Sequence, residues 1–499
     1  MNNAGKPMEE SLDPENWELY RDTGYQMVDD MLAFLKDIRS QPVWTKPPSN
    51  VRAFLQEELP RGGRPLPDVY RDFLKNILPY RKGNIHPRYF SWVEGTGSFS
   101  GALADFLASS MNSNLGIGDH SAVYVEQQVL NWCKQILGYP SSSAGAFTSG
   151  GSVANITALI VARNAFDKKQ IRKRGLKGLE AQLVVYCSTE THNCIFKAVE
   201  TIGVGTDNLR KIPVDEKMEI DLTLLRNQID IDKKNGLIPF CLVGNAGTVN
   251  TGAVDPLSEM AEICRKEKMW FHVDGAIGAL LNILPEYQKI LKPMTEADSI
   301  AFDLHKWLYT NYDAGCVLIR DGESSRSAFI QEANYLAAHE RGLAAGPESF
   351  SNFGLELSRP FRSLKIWMSL QEHGIDKYER LIRQNIKQAY YTGDRIKQSP
   401  DLELLTPVNL NIVCFRFNPG DLPESLLNEL NKELMMRLQE KGIAAPSYTF
   451  IHGRYAIRMS ITNHRTITAD LEAIIENTII LGRQIIKENE KYGTYSPAL

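Results

Sequence analysis

Apolar and polar positions along the chain fall into two kinds of block. Short apolar runs at Leu183–Ser188, Met269–Val273, Ser299–Phe302 and Gly315–Ile319 predict buried strands. Longer stretches return apolar residues at helical spacing. Between Trp17 and Ile38 the positions Tyr20, Met27, Met31, Phe34, Leu35 and Ile38 recur in this way with charged residues between them, which predicts an amphipathic helix. The stretch PFCLVGNAGTVNTGAVDPLSEMAEICRKEKMWFHVD reads strand, polar loop, helix, strand, so it predicts a βαβ unit and a parallel sheet. Six prolines from Pro42 to Pro67 punctuate an irregular region near the start. From about Tyr390 the pattern changes: NIVCFRFN, SLLNELNKELMMRLQEKG, TFIHGRYAIRMSIT and a closing helix from about Thr468 alternate strand with helix, as in a small α+β domain. No internal repeat or long low-complexity segment interrupts the order.

Chemistry gathers where the predicted strands end. The polar DLHKW follows Ser299–Phe302 and delivers Lys306 to a strand exit, the place where open α/β sheets meet ligands. A lysine in a partly apolar pocket loses part of its preference for charge, so its amine can attack a carbonyl; taken alone, a lysine there is more often an ordinary solvated charge. Upstream, HVDGA places His272 and Asp274 at the end of another strand, followed by the small Gly275 and Ala276, which let a flat ligand approach the backbone. An acid at one strand end and a lysine at a neighbouring one are the two protein groups that pyridoxal phosphate requires: an amine for its aldehyde and a carboxylate to keep its ring nitrogen protonated. Gly150, Gly151 and Ser152 precede the helical pattern that runs to Phe166 and put free N–H groups at a helix start, where the dipole favours an anion. No GKS or GKT follows, so this is not a Walker loop, and by itself it could be a simple turn. His192 likewise sits near a helix start after Leu183–Ser188, where a capping role is open to it.

HVDGA followed by DLHKW resembles the group II pyridoxal-phosphate decarboxylases, most closely the aromatic L-amino-acid branch, and the resemblance extends from near Tyr20 to Thr466. It implies an α/β chain of fold type I: a mostly parallel seven-stranded sheet flanked by helices, with an N-terminal helical segment (1–95) packed against a second subunit, a large cofactor domain (96–388) and a small C-terminal α+β domain (389–499). The implied reaction is loss of the carboxylate of an L-amino acid, aromatic by default, to give the amine and carbon dioxide through a Schiff base on Lys306 and a quinonoid. The implied catalytic set is Lys306, Tyr335, His192 and Asp274. Gly150, Gly151 and Ser152 would hold the phosphate, His192 would stack on the ring, and Thr248 would face the ring edge. Asp274 would hold the ring nitrogen, with Ala276, Asp303 and His305 beside it. Tyr335 would be the tyrosine of a mobile lid within Ser324–Asn352. Thr96 would lie near the cofactor and Arg359 near the substrate. Val93 and Glu94 fall where that branch usually carries a tyrosine and a phenylalanine, a departure that admits acidic or smaller aliphatic substrates as well.

Charge and cysteine content narrow the classes further. With 56 basic and 60 acidic residues in 499, the net charge is −4, and no basic tract suggests nucleic acid. No apolar run approaches the roughly 18 residues of a spanning helix, and the polar start MNNAGKPMEESLDPENW does not read as a signal peptide, so a soluble cytoplasmic protein is expected; the resemblance implies a homodimer with both subunits lining each active site. Seven cysteines without a CxxC pair suggest reduced thiols and neither a disulfide framework nor a zinc site. A metal hydrolase built on His272, Asp274 and His305 is chemically possible but leaves Lys306 and the glycine turn unexplained, so no metal is expected. Aldehyde synthesis is disfavoured by Tyr335, since related aldehyde synthases commonly carry phenylalanine there. Carbon–carbon lysis, as in sphingosine-phosphate lyases, is disfavoured by the want of a membrane helix, and a non-catalytic binding role by the presence of every reactive residue type.

Overall fold

A computed structural model describes residues 10–167, 170–330, 339–489 and 492. The strands, in chain order, are β1 (Tyr89–Phe90), β2 (Ala144–Thr148), β3 (Leu183–Ser188), β4 (Leu209–Ile212), β5 (Ile238–Asn245), β6 (Trp270–Asp274), β7 (Ser299–Asp303), β8 (Gly315–Ile319), β9 (Leu402–Leu404), β10 (Ile412–Phe417), β11 (Ala445–Ile451) and β12 (Arg454–Ser460). Strands β2 to β8 form one seven-stranded sheet in the order β2-β8-β7-β6-β5-β3-β4. β4, β3, β5, β6 and β7 run parallel, while β8 is antiparallel to both β7 and β2. Because every parallel strand ends at one edge, Ser188, Asn245, Asp274 and Asp303 come to the same side of the molecule, where β8 starts at Gly315.

The central strands are mainly apolar and buried at every position of β3, β7 and β8, as a sheet covered on both faces requires. One cover is the helix Gly151–Phe166, whose Ala154, Ala158, Leu159, Val161 and Ala162 are buried against the sheet and its neighbours. Residues such as Leu257, Met260, Phe271, Ile300, Phe302, Trp307 and Leu318 belong to the largest core.

The second sheet has five strands in the order β1-β11-β12-β10-β9, antiparallel except where β1 joins β11. Helices Glu424–Glu440 and Thr468–Glu488 pack with it around Val413, Phe415, Leu434, Ile457 and Ile474. Two features cross the expected domain limits. Tyr89–Phe90, from the N-terminal segment, supplies an edge strand to this C-terminal sheet, and helix Ile375–Lys397 runs through residue 388 without a break.

The predicted N-terminal helix forms as Trp17–Lys36, capped by Asn16, whose side chain accepts from the Leu19 N–H. Thr23 is its one fully buried residue among those described; Met27, Met31, Phe34 and Leu35 are half-buried, while Trp17, Leu19, Tyr25, Val28 and Leu32 are exposed. No helix among the described residues is long and apolar enough to cross a membrane.

Candidate active site

A cavity of about 430 Å³ opens at the carboxyl edge of the seven-stranded sheet, lined by Ser149–Val153, His192, Asp274, Ala276, Asp303, His305 and Lys306 on its floor and by Trp92, Val93, Glu94 and Tyr312 at its mouth. Another groove, of about 720 Å³ between Trp132, Asn282, Lys292 and Leu370, contains none of the groups singled out by sequence.

Lys306 follows β7 in a single helical turn, Leu304–Trp307, and its Nζ lies 2.9 Å from Asp303 Oδ2. Burial works against the ammonium, but the charge and hydrogen bond of Asp303, with Asp274 beyond it, raise the lysine above its ordinary pKa. This corrects the expectation that an apolar pocket would favour the free amine: in the chain alone two carboxylates hold it charged. Asp303 Oδ1, buried, has no hydrogen-bond partner of its own.

Asp274 ends β6. Its Oδ1 accepts from the Ala276 N–H at 3.1 Å and its Oδ2 from Asn155 Nδ2 at 3.3 Å. Burial pushes its pKa up, opposed by Lys306, the Ala276 N–H and His192. His192 caps helix Asn193–Thr201, its Nδ1 accepting from the Cys194 N–H at 3.1 Å, and burial lowers its pKa so that the ring is neutral at pH 7. His305 is also lowered by burial; its Nδ1 accepts from the Ala314 N–H and its ring packs 4.4 Å from that of Tyr312, centroid to centroid.

The glycine turn is dictated by space. Gly150 has φ of +152°, and a Cβ on Gly151 would come within 2.8 Å of Asp303 Oδ2. The first-turn N–H groups of helix Gly151–Phe166, with no intrahelical acceptors, therefore open onto the cavity beside Ser152.

Of the remaining expected residues, Val93 and Glu94 line the mouth; Glu94 is paired with Lys82 and accepts from the Tyr89 hydroxyl at 2.9 Å. Thr96 is buried with its Oγ1 unpartnered, and Thr248 is buried with its hydroxyl on Thr251 at 3.0 Å; neither lines the cavity, although Gly247 and Val249 on either side of Thr248 do. Arg359 is placed elsewhere altogether, in a buried ion pair 2.6 Å from Glu126 and hydrogen-bonded to the Phe147 carbonyl. Tyr335 lies outside the described residues. The metal-hydrolase grouping does not assemble: both ring nitrogens of His272 are occupied, by Ser299 and Asn155, and no cluster of three metal-ligating side chains occurs among the described residues.

Asn155 went unnoticed in the sequence, where SVANITAL reads as ordinary helix; its one signal is a polar side chain on a face otherwise made of alanine and leucine.

The groups present suit pyridoxal phosphate: an amine for the aldehyde, a buried carboxylate for the pyridine nitrogen, and a glycine-opened helix start for the phosphate, all on one cavity. Comparison with known proteins agrees. Residues 48–418 match the model of the pyridoxal-dependent decarboxylase conserved domain. An aromatic-L-amino-acid decarboxylase of Bacillus atrophaeus is 34% identical over 472 residues, covering 94% of this chain and 96% of the relative. A phenylacetaldehyde synthase of Petunia hybrida is 30% identical, covering 90% and 91%. Among solved structures, Oryza sativa TDC with PLP and tryptamine superposes with a TM-score of 0.88 at 26% identity, covering 95% of this chain and all of that one. A floor built for this cofactor and a match along nearly the whole length lead to one assignment: the chain belongs to the pyridoxal-dependent decarboxylase family, with pyridoxal phosphate as its cofactor.

Proposed function

We propose that the protein removes the α-carboxylate of an aromatic L-amino acid, yielding the amine and carbon dioxide, and that it works as a cytoplasmic homodimer. The observation that carries this reading is the meeting of Lys306 and Asp274 on one cavity whose mouth is walled by Trp92 and Tyr312. Aromatic walls suit an aromatic side chain.

The bound cofactor supplies an electron-accepting ring for the electron pair released as carbon dioxide departs. The chain's own groups prepare that event. The N–H groups of Gly151 and Ser152 would hold the phosphate, and Asp274 would keep the ring nitrogen protonated. Lys306 must lose a proton before its amine can react with the aldehyde; Asp303 Oδ2, at 2.9 Å, holds the side chain at the cavity and favours its charged form until then. Neutral His192 would offer a flat, uncharged face to the ring, excluding water and orienting the substrate carboxylate. Tyr335, directly or through His192, would return a proton to the α-carbon, and a tyrosine at that position supports amine over aldehyde as product.

Exposed apolar side chains on helices Trp17–Lys36 and Phe99–Met111, including Trp17, Tyr25, Leu32, Phe106 and Leu107, support a second copy as their cover.

The test is product analysis with the loaded enzyme and a panel of L-amino acids, following carbon dioxide, amine, aldehyde and peroxide. Amine from aromatic substrates is expected, with Lys306→Ala losing both turnover and covalently held cofactor. Aldehyde with peroxide, or amine from acidic substrates alone, would overturn the assignment.

A further inference from the structure

Beneath the cavity floor a line of buried side chains runs away from Asp274 through the sheet. Asn155 Nδ2 lies 3.3 Å from Asp274 Oδ2, and Asn155 Oδ1 lies 2.6 Å from His272 Nε2. His272 Nδ1 is 2.8 Å from Ser299 Oγ, which is in turn 2.8 Å from Trp270 Nε1. Asn155, His272 and Ser299 are fully buried.

Both ends of this line have fixed chemistry. An indole N–H can only donate and a carboxylate can only accept. The amide oxygen of Asn155 accepts as well, so His272 carries its proton on Nε2. The ring is neutral, because burial without a carboxylate partner lowers its pKa to about 3. Its Nδ1 therefore has a lone pair, which accepts a hydrogen bond from the Ser299 hydroxyl, and Ser299 Oγ in turn accepts from Trp270 Nε1. Every donor points toward Asp274, and hydrogen bonds aligned in one sense polarise one another. The second N–H of the Asn155 amide donates to the Gly151 carbonyl at 2.8 Å, which ties this line to the phosphate turn.

We propose that Asn155, His272, Ser299 and Trp270 form one directed hydrogen-bond chain that keeps Asp274 ionised and aimed at the cofactor's ring nitrogen, with Asn155 as the positioning residue in contact with it. The proposal rests on Asp274 receiving that nitrogen. The titratable groups facing Asp274 are Lys306 and Asp303 from the end of β7, and His192 and Cys194 from the start of helix Asn193–Thr201; none is a member of the chain. Burial raises the pKa of Asp274, so each donor removed raises it further and leaves more of the carboxyl protonated on the acid side.

The decisive experiment titrates pyridoxal phosphate into the cofactor-free full chain between about pH 6 and 9, reading Kd from tryptophan fluorescence. Wild type is compared with Asn155→Leu, Ser299→Ala and Asp274→Asn, taking the ratio of Kd to wild type at each pH. For Asn155→Leu the ratio is expected to be roughly tenfold near pH 6, the size of one hydrogen bond to a charged group, and to shrink as pH rises. Ser299→Ala, remote from the cavity, changes in the same sense by a smaller factor. A ratio constant with pH for Asn155→Leu marks a packing defect and overturns the proposal, as does a Ser299→Ala curve that superposes on wild type.

Should Asn155→Leu fail to fold, nitrogen-15 NMR of labelled histidine in the wild-type chain decides. The resonances that vanish in His272→Gln must show the neutral Nε2–H form, and an Nδ1–H form or an imidazolium at pH 7 overturns the chain. Asp274→Asn separates the two failures: binding unchanged in that variant removes the role of Asp274 itself, whereas weakened binding there with a pH-independent Asn155→Leu ratio removes the chain alone.

Discussion

Arg359 shows how far residue type can mislead without position. The SRPFRSLKIW stretch offered it as a substrate contact, but its guanidinium is buried against Glu126, whose own carboxyl burial pushes up in pKa, and it packs over the Phe350 ring. Removing one member of such a pair strands a charge in the core, at a cost of about 3–5 kcal/mol. Arg359→Met is therefore expected to lower the denaturation midpoint sharply, with Glu126→Gln added on top restoring part of the loss, and to leave KM for the amino acid alone. A large rise in KM at unchanged stability would return Arg359 to the substrate. Lys306 and Asp274 were legible because each ends a short apolar run, and strand ends face the ligand in this architecture. Asn155 was not legible, because its partners His272 and Asp274 stand more than a hundred positions away in the chain.

At the scale of elements, the cofactor floor depends on how closely the start of β8 approaches the glycine turn. A Cβ on Gly315 would lie 2.5 Å from Gly150 Cα, so backbone meets backbone there and no side chain can yield. Gly315→Ala should push the turn away from the end of β7, costing about 1–3 kcal/mol of stability and weakening cofactor affinity together. Calorimetry and a cofactor titration check this; loss of stability at unchanged affinity would show that the turn moves independently of β8. The apolar run Gly315–Ile319 announced a strand, yet nothing local said that it would run antiparallel between β7 and β2, since strand direction is decided by the connections and the neighbours it must fit. The N-terminal helix was legible for the opposite reason: its 3.6-residue apolar period is a local property.

For the molecule as a whole, three histidines are drawn out of water away from the cavity, His86 and His272 fully and His464 in part. His86 faces the Gln41 carbonyl, His464 the Gly97 carbonyl, and His272 the centre of the large sheet. Burial lowers them to about 4, about 4 and about 3, against 6.5 in an exposed setting. On acidification the unfolded chain takes up these protons first, so their contribution to stability is full above pH 6.5 and is lost progressively toward pH 4. His86→Gln should be less stable than wild type at pH 7 but decline less steeply between pH 6.5 and 4, as read from denaturant midpoints. Parallel slopes would mean that His86 does not stay neutral in the folded chain.

The sequence by itself determined the kinds of element, the mostly parallel sheet and the reactive pair of lysine and aspartate, because period, run length and side-chain chemistry act over a few residues. Tertiary structure alone decided what long-range proximity decides. It joined Tyr89–Phe90 to the C-terminal sheet, withdrew Arg359 into the core, and charged Lys306 through Asp303. It also aligned Trp270, Ser299, His272 and Asn155 behind Asp274, an order that exists only once helix Gly151–Phe166 packs against β6 and β7.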